Sequence, residues 1–290
     1  MQVTREKMKK GFTIIELVVA LGLLVMLIFF ANAIFKVSVD SYRIAGANTE
    51  VMQKLRAITD QLNRDFKGLQ KDGYLLLYCK AYKRMEYQDS TPRNFRADRL
   101  YYFSKGDFQS WFDPAVRSNI GRVYFGHDSR FLNNIFAVSD WSLARDVELI
   151  TPGRFGTDCN SLSYAHFKAD VTRTTKSANI LLGSGIPIDI LSPGDIRGLM
   201  CQNVGEIIIE WTNGTTSAGQ LQWWGLSNPI IDPVATAIHQ QKSDLTYKAQ
   251  WDPHNRVYWP KALKFIFRLY DSKGILEGGR MFTHIVYIGD

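Results

Sequence analysis

Hydrophobic and polar positions divide this chain into three textures. From Leu17 to Phe35 no side chain is charged, and at 1.5 Å rise per residue a helix needs roughly 20 such residues to cross a bilayer core. The next stretch is polar and contains Gly46. From Val51 the apolar positions then fall at Val51, Leu55, Ile58, Leu62, Phe66 and Leu69, spacings of three and four that mark one face of a helix. Arg56, Asp60, Gln61, Asn63, Arg64 and Lys67 take the other side. The pattern predicts one helix over 12–71, membrane-embedded over 12–35 and amphipathic over 36–71, stopped by Asp72-Gly73. Ser38 to Glu50 is its weak point, where glycine invites a bend.

Beyond Gly73 the texture changes to short aromatic and β-branched runs between turn residues, predicting a β-rich domain over 72–290. Tyr74 to Tyr82, Leu100 to Phe103, Val123 to Phe125 and Ser142 to Ile150 read as strands, with Ser104-Lys105-Gly106-Asp107 a turn. Gly205 to Trp211 is a strand followed by Asn213-Gly214, and Gln220 to Trp224 pairs back. Ala262 to Tyr270 alternates as a half-buried strand, Asp271-Ser272-Lys273-Gly274 turns the chain, and Met281 to Ile288 returns. Residues 153–203, including Ile180 to Leu191, and 225–256 read as long connections. The fold class expected is α+β.

Composition adds direction. The formal charge is +7, and Arg5, Lys7, Lys9, Lys10 and Glu6 place +3 of it ahead of the apolar run. Positive charge beside a span stays in the cytoplasm. The expectation is a single-pass protein of the bacterial inner membrane, with its N-terminus cytoplasmic and its C-terminal domain periplasmic. The +4 that remains is too mild to argue for nucleic acid.

Glu16 stands at the edge of the apolar run, where a carboxylate costs about 3 kcal/mol at mid-bilayer unless it is shallow or paired. A cut after Gly11 would give Phe12 a free α-amino group four residues before Glu16, within reach along one helical face. The stretch Gly11-Phe12-Thr13-Ile14-Ile15-Glu16-Leu17 resembles the prepilin peptidase site of type IV pilins and type II secretion pseudopilins. The resemblance implies a leader over 1–11, cleavage between Gly11 and Phe12, N-methylation of Phe12, and Glu16 pairing with an N-terminal amine during assembly into a fibre. A plain uncleaved anchor, and a signal peptide cut beyond Ala31-Asn32-Ala33, are the other readings. Met1 and Met8 are both candidate starts.

Further along, Leu62-Asn63-Arg64-Asp65-Phe66, Val123-Tyr124-Phe125, Trp141-Ser142-Leu143-Ala144-Arg145 and Trp259-Pro260-Lys261-Ala262-Leu263 together resemble the J-type minor pseudopilins and the related W-type minor pilins. That implies a type IV pilin-like fold and a structural, non-enzymatic role at a fibre tip. Expected partners are other minor subunits, the major subunit, the prepilin peptidase, the inner-membrane assembly platform and an exported protein substrate. The alternatives are a minor pilin of a type IV pilus, serving adhesion, motility or DNA uptake, and a membrane-anchored extracytoplasmic enzyme.

Candidate chemistry is sparse. His127, His166, His239, His254 and His284 make no zincin spacing, Gly183-Ser184-Gly185 lacks a nucleophile elbow, and no phosphate-binding loop occurs. No cofactor, metal or catalytic residue is expected. Cys79, Cys159 and Cys201 form no C-x-x-C pair. One disulfide is a candidate, Cys159 with Cys201 or either with Cys79, against buried free thiols, and spacing leaves the choice open. Lys80, Lys83, Arg84, Arg93, Arg96 and Arg99 interleave with Tyr82, Tyr87 and Phe95, a mixture that suits phosphate and base contact or else a solvated strand face. Trp223-Trp224, Trp251 and Trp259 suit either an exposed subunit contact or a core.

Overall fold

A computed structural model describes residues 13–84, 93–110, 113–128, 138–151, 159–160, 198–228, 238–243, 245–251 and 258–289. The leader, Gly11, Phe12, Tyr87, His166, His254 and the 180–191 run lie outside these residues. So do the side chains of Arg84, Cys159 and His239. The architecture is α+β: one long N-terminal helix, then antiparallel sheets. The chain forms two compact units, residues up to Asn48 and Thr49–Asp290.

In the first unit the helix α1 (Ile14–Lys67) begins. Helix is unbroken through Ser38–Glu50, Gly46 included, so the chain does not unwind there. Its side chains from Ile14 to Phe35 are exposed on every face. A helix apolar all round has no stable position in water and is built for lipid or for other helices. It is the one described helix long and apolar enough to cross a membrane.

The second unit begins where the period changes. Val51, Ile58, Leu62 and Phe66 are buried in the main core, each contributing about 1.5–3 kcal/mol of apolar burial. α1 stops at Lys67, four residues short of the predicted end. The cause is Gly68: a Cβ there would lie 2.1 Å from the Lys105 carbonyl oxygen. The Lys105 amide donates to the Gly68 carbonyl and the Gln70 amide to Phe103, so the chain leaves the helix directly onto a strand.

Strands β1 (Leu75–Arg84), β2 (Arg93–Arg96), β3 (Arg99–Gln109), β4 (Arg117–His127) and β5 (Ser142–Ile150) follow. After them come β6 (Cys159–Asn160), β7 (Leu199–Gln202), β8 (Val204–Thr212), β9 (Thr216–Ser217) and β10 (Gln220–Leu221). The last four are β11 (Ile238–Ser243), β12 (Thr246–Trp251), β13 (Ala262–Leu269) and β14 (Arg280–Tyr287). A nine-stranded sheet runs β11-β12-β1-β3-β4-β5-β6, with β2 on β1 and β7 on β5; a three-stranded sheet runs β14-β13-β8, and β9 pairs with β10.

Three expectations change here. Ser104 to Asp107 is not a turn: β3 continues through it, with an irregular register between Lys105 and Phe108, because a bulge absorbs the glycine without reversing the chain. Residues 225–256 are not merely a connection, since β11 and β12 form a hairpin whose second strand pairs along β1. Of the Gln220–Trp224 run only Gln220 and Leu221 form a strand, and it pairs with β9; Trp224 pairs separately with Trp211.

Both sheets share one core, and the end of α1 bridges them. The Phe66 ring stacks on Tyr102 of β3 at 4.8 Å and meets Phe265 of β13 edge-on at 5.9 Å. At the seam between the sheets Asp98, fully buried, accepts from the amides of Lys80 (3.2 Å) and Ile209 (2.7 Å) and pairs with Arg96. Burial raises its carboxyl above the usual carboxylate range in spite of that arginine.

Candidate functional site

The sequence placed the functional burden at the start of the helix, and the described part of it is a capping box. Thr13 precedes α1. Its amide and its hydroxyl donate to Glu16 Oε2 at 3.0 and 2.9 Å, while the Glu16 amide donates back to the Thr13 hydroxyl at 3.4 Å. The helix start leaves amides without intrahelical partners, and Thr-x-x-Glu satisfies them reciprocally. Glu16 therefore already has a partner within its own chain. The signal is present in the sequence as Thr13-Ile14-Ile15-Glu16, the Thr-x-x-Glu spacing of a capping box. Whether Phe12 adds an amine lies outside the described residues.

In the second unit α1 is fastened at two places. Near its entry, Lys54 Nζ donates to the Tyr270 carbonyl at 2.9 Å and to Asn203 Oδ1 at 3.3 Å, and pairs with Glu50 at 2.8 Å. Glu50 accepts from the amide and hydroxyl of Ser272 at 2.9 and 3.0 Å, and these partners hold its carboxyl below the ordinary value. Near the C-terminus of α1, Asp65 takes two bonds from Arg145 of β5. Sequence reading singled out Leu62–Phe66 and Trp141–Arg145 as segments; their joining is a tertiary fact.

The Asp271-Ser272-Lys273-Gly274 turn is built by Asp271, whose carboxylate accepts from the amides of Lys273, Ile275 and Leu276. Those bonds keep its carboxyl below the usual range.

The basic run does not form one surface. Arg96 is buried against Asp98, Arg99 is buried with its Nη2 donating to Tyr82 at 2.8 Å, and Lys80 lies over the Tyr82 ring. Two of the six cations are thereby taken out of reach of a phosphate.

Nor do the tryptophans make an exposed patch. Trp224, Trp251 and Trp259 are buried, and Trp211 packs at 4.6 Å on Trp224 and 5.1 Å on Trp251 while donating to the Tyr247 hydroxyl. Trp223 alone of the predicted four stays half-exposed, beneath Lys264.

His127 is fully buried, with Nε2 2.8 Å from the Val204 carbonyl oxygen, and burial pushes its pKa down to about 3. His284 lies across the molecule on β14, its Nε2 3.0 Å from Asn63 Oδ1. Among the described residues no three His, Cys, Asp or Glu side chains gather to hold a metal.

Cys79 and Cys201 are free thiols. On β5, Cys201 stands opposite Leu143 and Cys159 opposite Leu149, so about 20 Å of strand separates their backbones. A disulfide spans Cα atoms about 4.4–6.8 Å apart, and the Cys159–Cys201 pairing does not fit this register.

No protein-family model, curated protein or solved structure matches this chain.

Proposed function

We propose that this chain is a minor pseudopilin, a non-enzymatic subunit that helps initiate the pseudopilus of a type II secretion system. The observation that carries the reading is α1 itself. An all-round apolar helix begins at a Thr13–Glu16 box directly after Gly11-Phe12, then becomes the amphipathic segment Val51–Phe66 seated in a β-sheet core. A lipid anchor alone needs the apolar half. It gives no reason for Gly-Phe-Thr-x-x-Glu at its head. The pairing of Asp65 with Arg145, from two of the segments that resemble J-type minor pseudopilins, supports a type IV pilin-like fold.

In this reading a membrane-embedded peptidase cuts after Gly11 and methylates Phe12. The helix then leaves lipid by packing against the helices of other subunits, which replaces one apolar surrounding with another at small cost. Glu16 holds the helix start and supplies a charge for a neighbouring amine. The two fastenings of α1 make residues 49–67 and the sheets one body, so force on the helix is passed to the domain. A minor pilin of a type IV pilus would use the same parts, and the genes beside this one, for a secretion channel or a retraction motor, separate the two.

The test is the N-terminus of the protein from native membranes, read by intact mass and peptide mapping. N-methylated Phe12 is expected. An intact leader or a start near Ile34 overturns the reading.

A further inference from the structure

β14 closes one side of the three-stranded sheet, pairing only with β13 among the described strands. Its backbone phase follows from its neighbours. On β8, Ile207, Ile209 and Trp211 turn their backbone groups away from β13, to Asp98 and Trp224. The alternate residues of β8 therefore bond to β13. Carried across the register, in which Phe265 faces His284 and Phe267 faces Phe282, this assigns the backbone groups of Phe282, His284 and Val286 to β13. The Ile288 amide, bonded to Lys261, agrees. Met281, Thr283, Ile285 and Tyr287 point their N–H and C=O groups to the open edge.

Edges are normally protected by lysine, proline or a bulge. From Met281 to Ile288 there is none of these, whereas β11, the edge of the other sheet, is Ile-His-Gln-Gln-Lys-Ser. Three of the four side chains over the open groups are large and exposed, Met281 45%, Ile285 37% and Tyr287 73%, and the fourth, Thr283, is exposed and uncharged. The charges beside them are already satisfied within the sheet, Lys264 by Glu210 and Arg268 by Glu206. The opposite face of β14 turns inward: Phe282 packs against the main core, Val286 and Ile288 are buried in it, and His284 lies against Asn63.

We infer that β14 takes up an added β-strand from a different subunit of the same fibre. That strand is uncharged, and apolar where it flanks Met281, Ile285 and Tyr287. The inference rests on the fibre-subunit reading. Backbone pairing supplies the affinity, and alternate side chains supply the selection.

The test is hydrogen exchange at single-residue resolution on the full chain, comparing isolated protein in detergent with protein in native membranes. Amides of Met281, Thr283, Ile285 and Tyr287 should exchange about tenfold or more slowly in membranes, while those of Phe282, His284 and Val286 are slow in both. Equal exchange of the outward amides in the two samples overturns the inference. So does protection already present in the isolated chain, which, if it grows with concentration, identifies a second copy as the occupant.

Thr283→Pro removes only an outward N–H, which an edge strand tolerates. It should unfold at nearly the wild-type temperature and lose the slowing at Ile285 and Tyr287; retained slowing counts against strand addition. Mapping Phe12 on the same sample separates the two ideas. Processed Phe12 with an unprotected edge sinks strand addition alone, and unprocessed Phe12 sinks the fibre-subunit reading.

Discussion

Arg145 grips Asp65 through two parallel bonds, Nε to Oδ2 at 2.6 Å and Nη2 to Oδ1 at 2.7 Å. Seventy-nine residues of chain lie between them, and the pair ties the last turn of α1 to β5, toward one end of the nine-stranded sheet. Gln61 and the Tyr102 hydroxyl donate to the same carboxylate. Every acceptor position of Asp65 is therefore directed, which fixes the rotation of the helix on its sheet.

Removing one partner leaves the other charge in a site where the carboxylate is only 5% exposed. Arg145→Ala should lower stability by about 3 kcal/mol, in line with broken buried pairs. Arg145→Lys should restore little, because an ammonium cannot make the two-point contact. Denaturant unfolding followed by tryptophan fluorescence reads both, and a loss under 1 kcal/mol in Arg145→Ala would show the pair to be incidental.

His127 predicts acid sensitivity. Its folded pKa is depressed to about 3, first by burial and further by Arg99, against an unfolded value near 6.5. Between these values the unfolded chain binds the proton and the folded chain does not. Stability contributed by the neutral imidazole is thus complete above pH 6.5 and falls as pH drops toward 3, by up to ~1.4 kcal/mol per pH unit. His127→Gln should be less stable at pH 7 but show a shallower decline from pH 6.5 to 4 in the same unfolding assay. Parallel declines would remove His127 as the cause.

The capping box separates two roles of Glu16. Thr13→Val should fray the first turn of α1, costing about 1 kcal/mol, seen as faster amide exchange near Glu16 in detergent. Glu16→Gln keeps an acceptor for the Thr13 amide and removes the charge. If charge guides assembly, Glu16→Gln should be processed at Phe12 and yet enter fibres poorly; normal incorporation would leave Glu16 as a cap only.

Thiol chemistry offers an independent check of the core. Cys79 is wholly buried, and burial raises its thiol well above the ordinary value, with the Asp98 carboxylate adding to the rise. Cys201 is half-exposed and raised to about 11 by partial burial. Both are poor in thiolate at pH 7. Alkylation with peptide mapping should label Cys201 slowly and Cys79 only after unfolding. Rapid labelling of Cys79 in the native protein would contradict its place between the sheets.

What the sequence by itself determined is local and periodic. An uncharged run of helical length, a change to i, i+3, i+4 spacing at Val51, and alternation in Leu263–Tyr270 each specify an element through its own residues. The Thr13–Glu16 box was equally local and open to reading. Burial of Val51, Ile58, Leu62 and Phe66 follows from that period.

Tertiary structure alone decided how distant segments meet. A glycine at 68 ends the helix because the Lys105 carbonyl approaches from another strand, and Gly106 ends nothing because a bulge absorbs it and β3 resumes its pairing with β4 at Phe108. Arg96 and Arg99 left the surface because the buried Asp98 and the half-buried Tyr82 take them as partners, and Trp224 and Trp251 because Trp211 stands between them. Charge and aromaticity are properties of a residue, whereas exposure belongs to the neighbours that the fold brings. The open edge of β14 is the same kind of fact, fixed by which strand lies beside it and which does not.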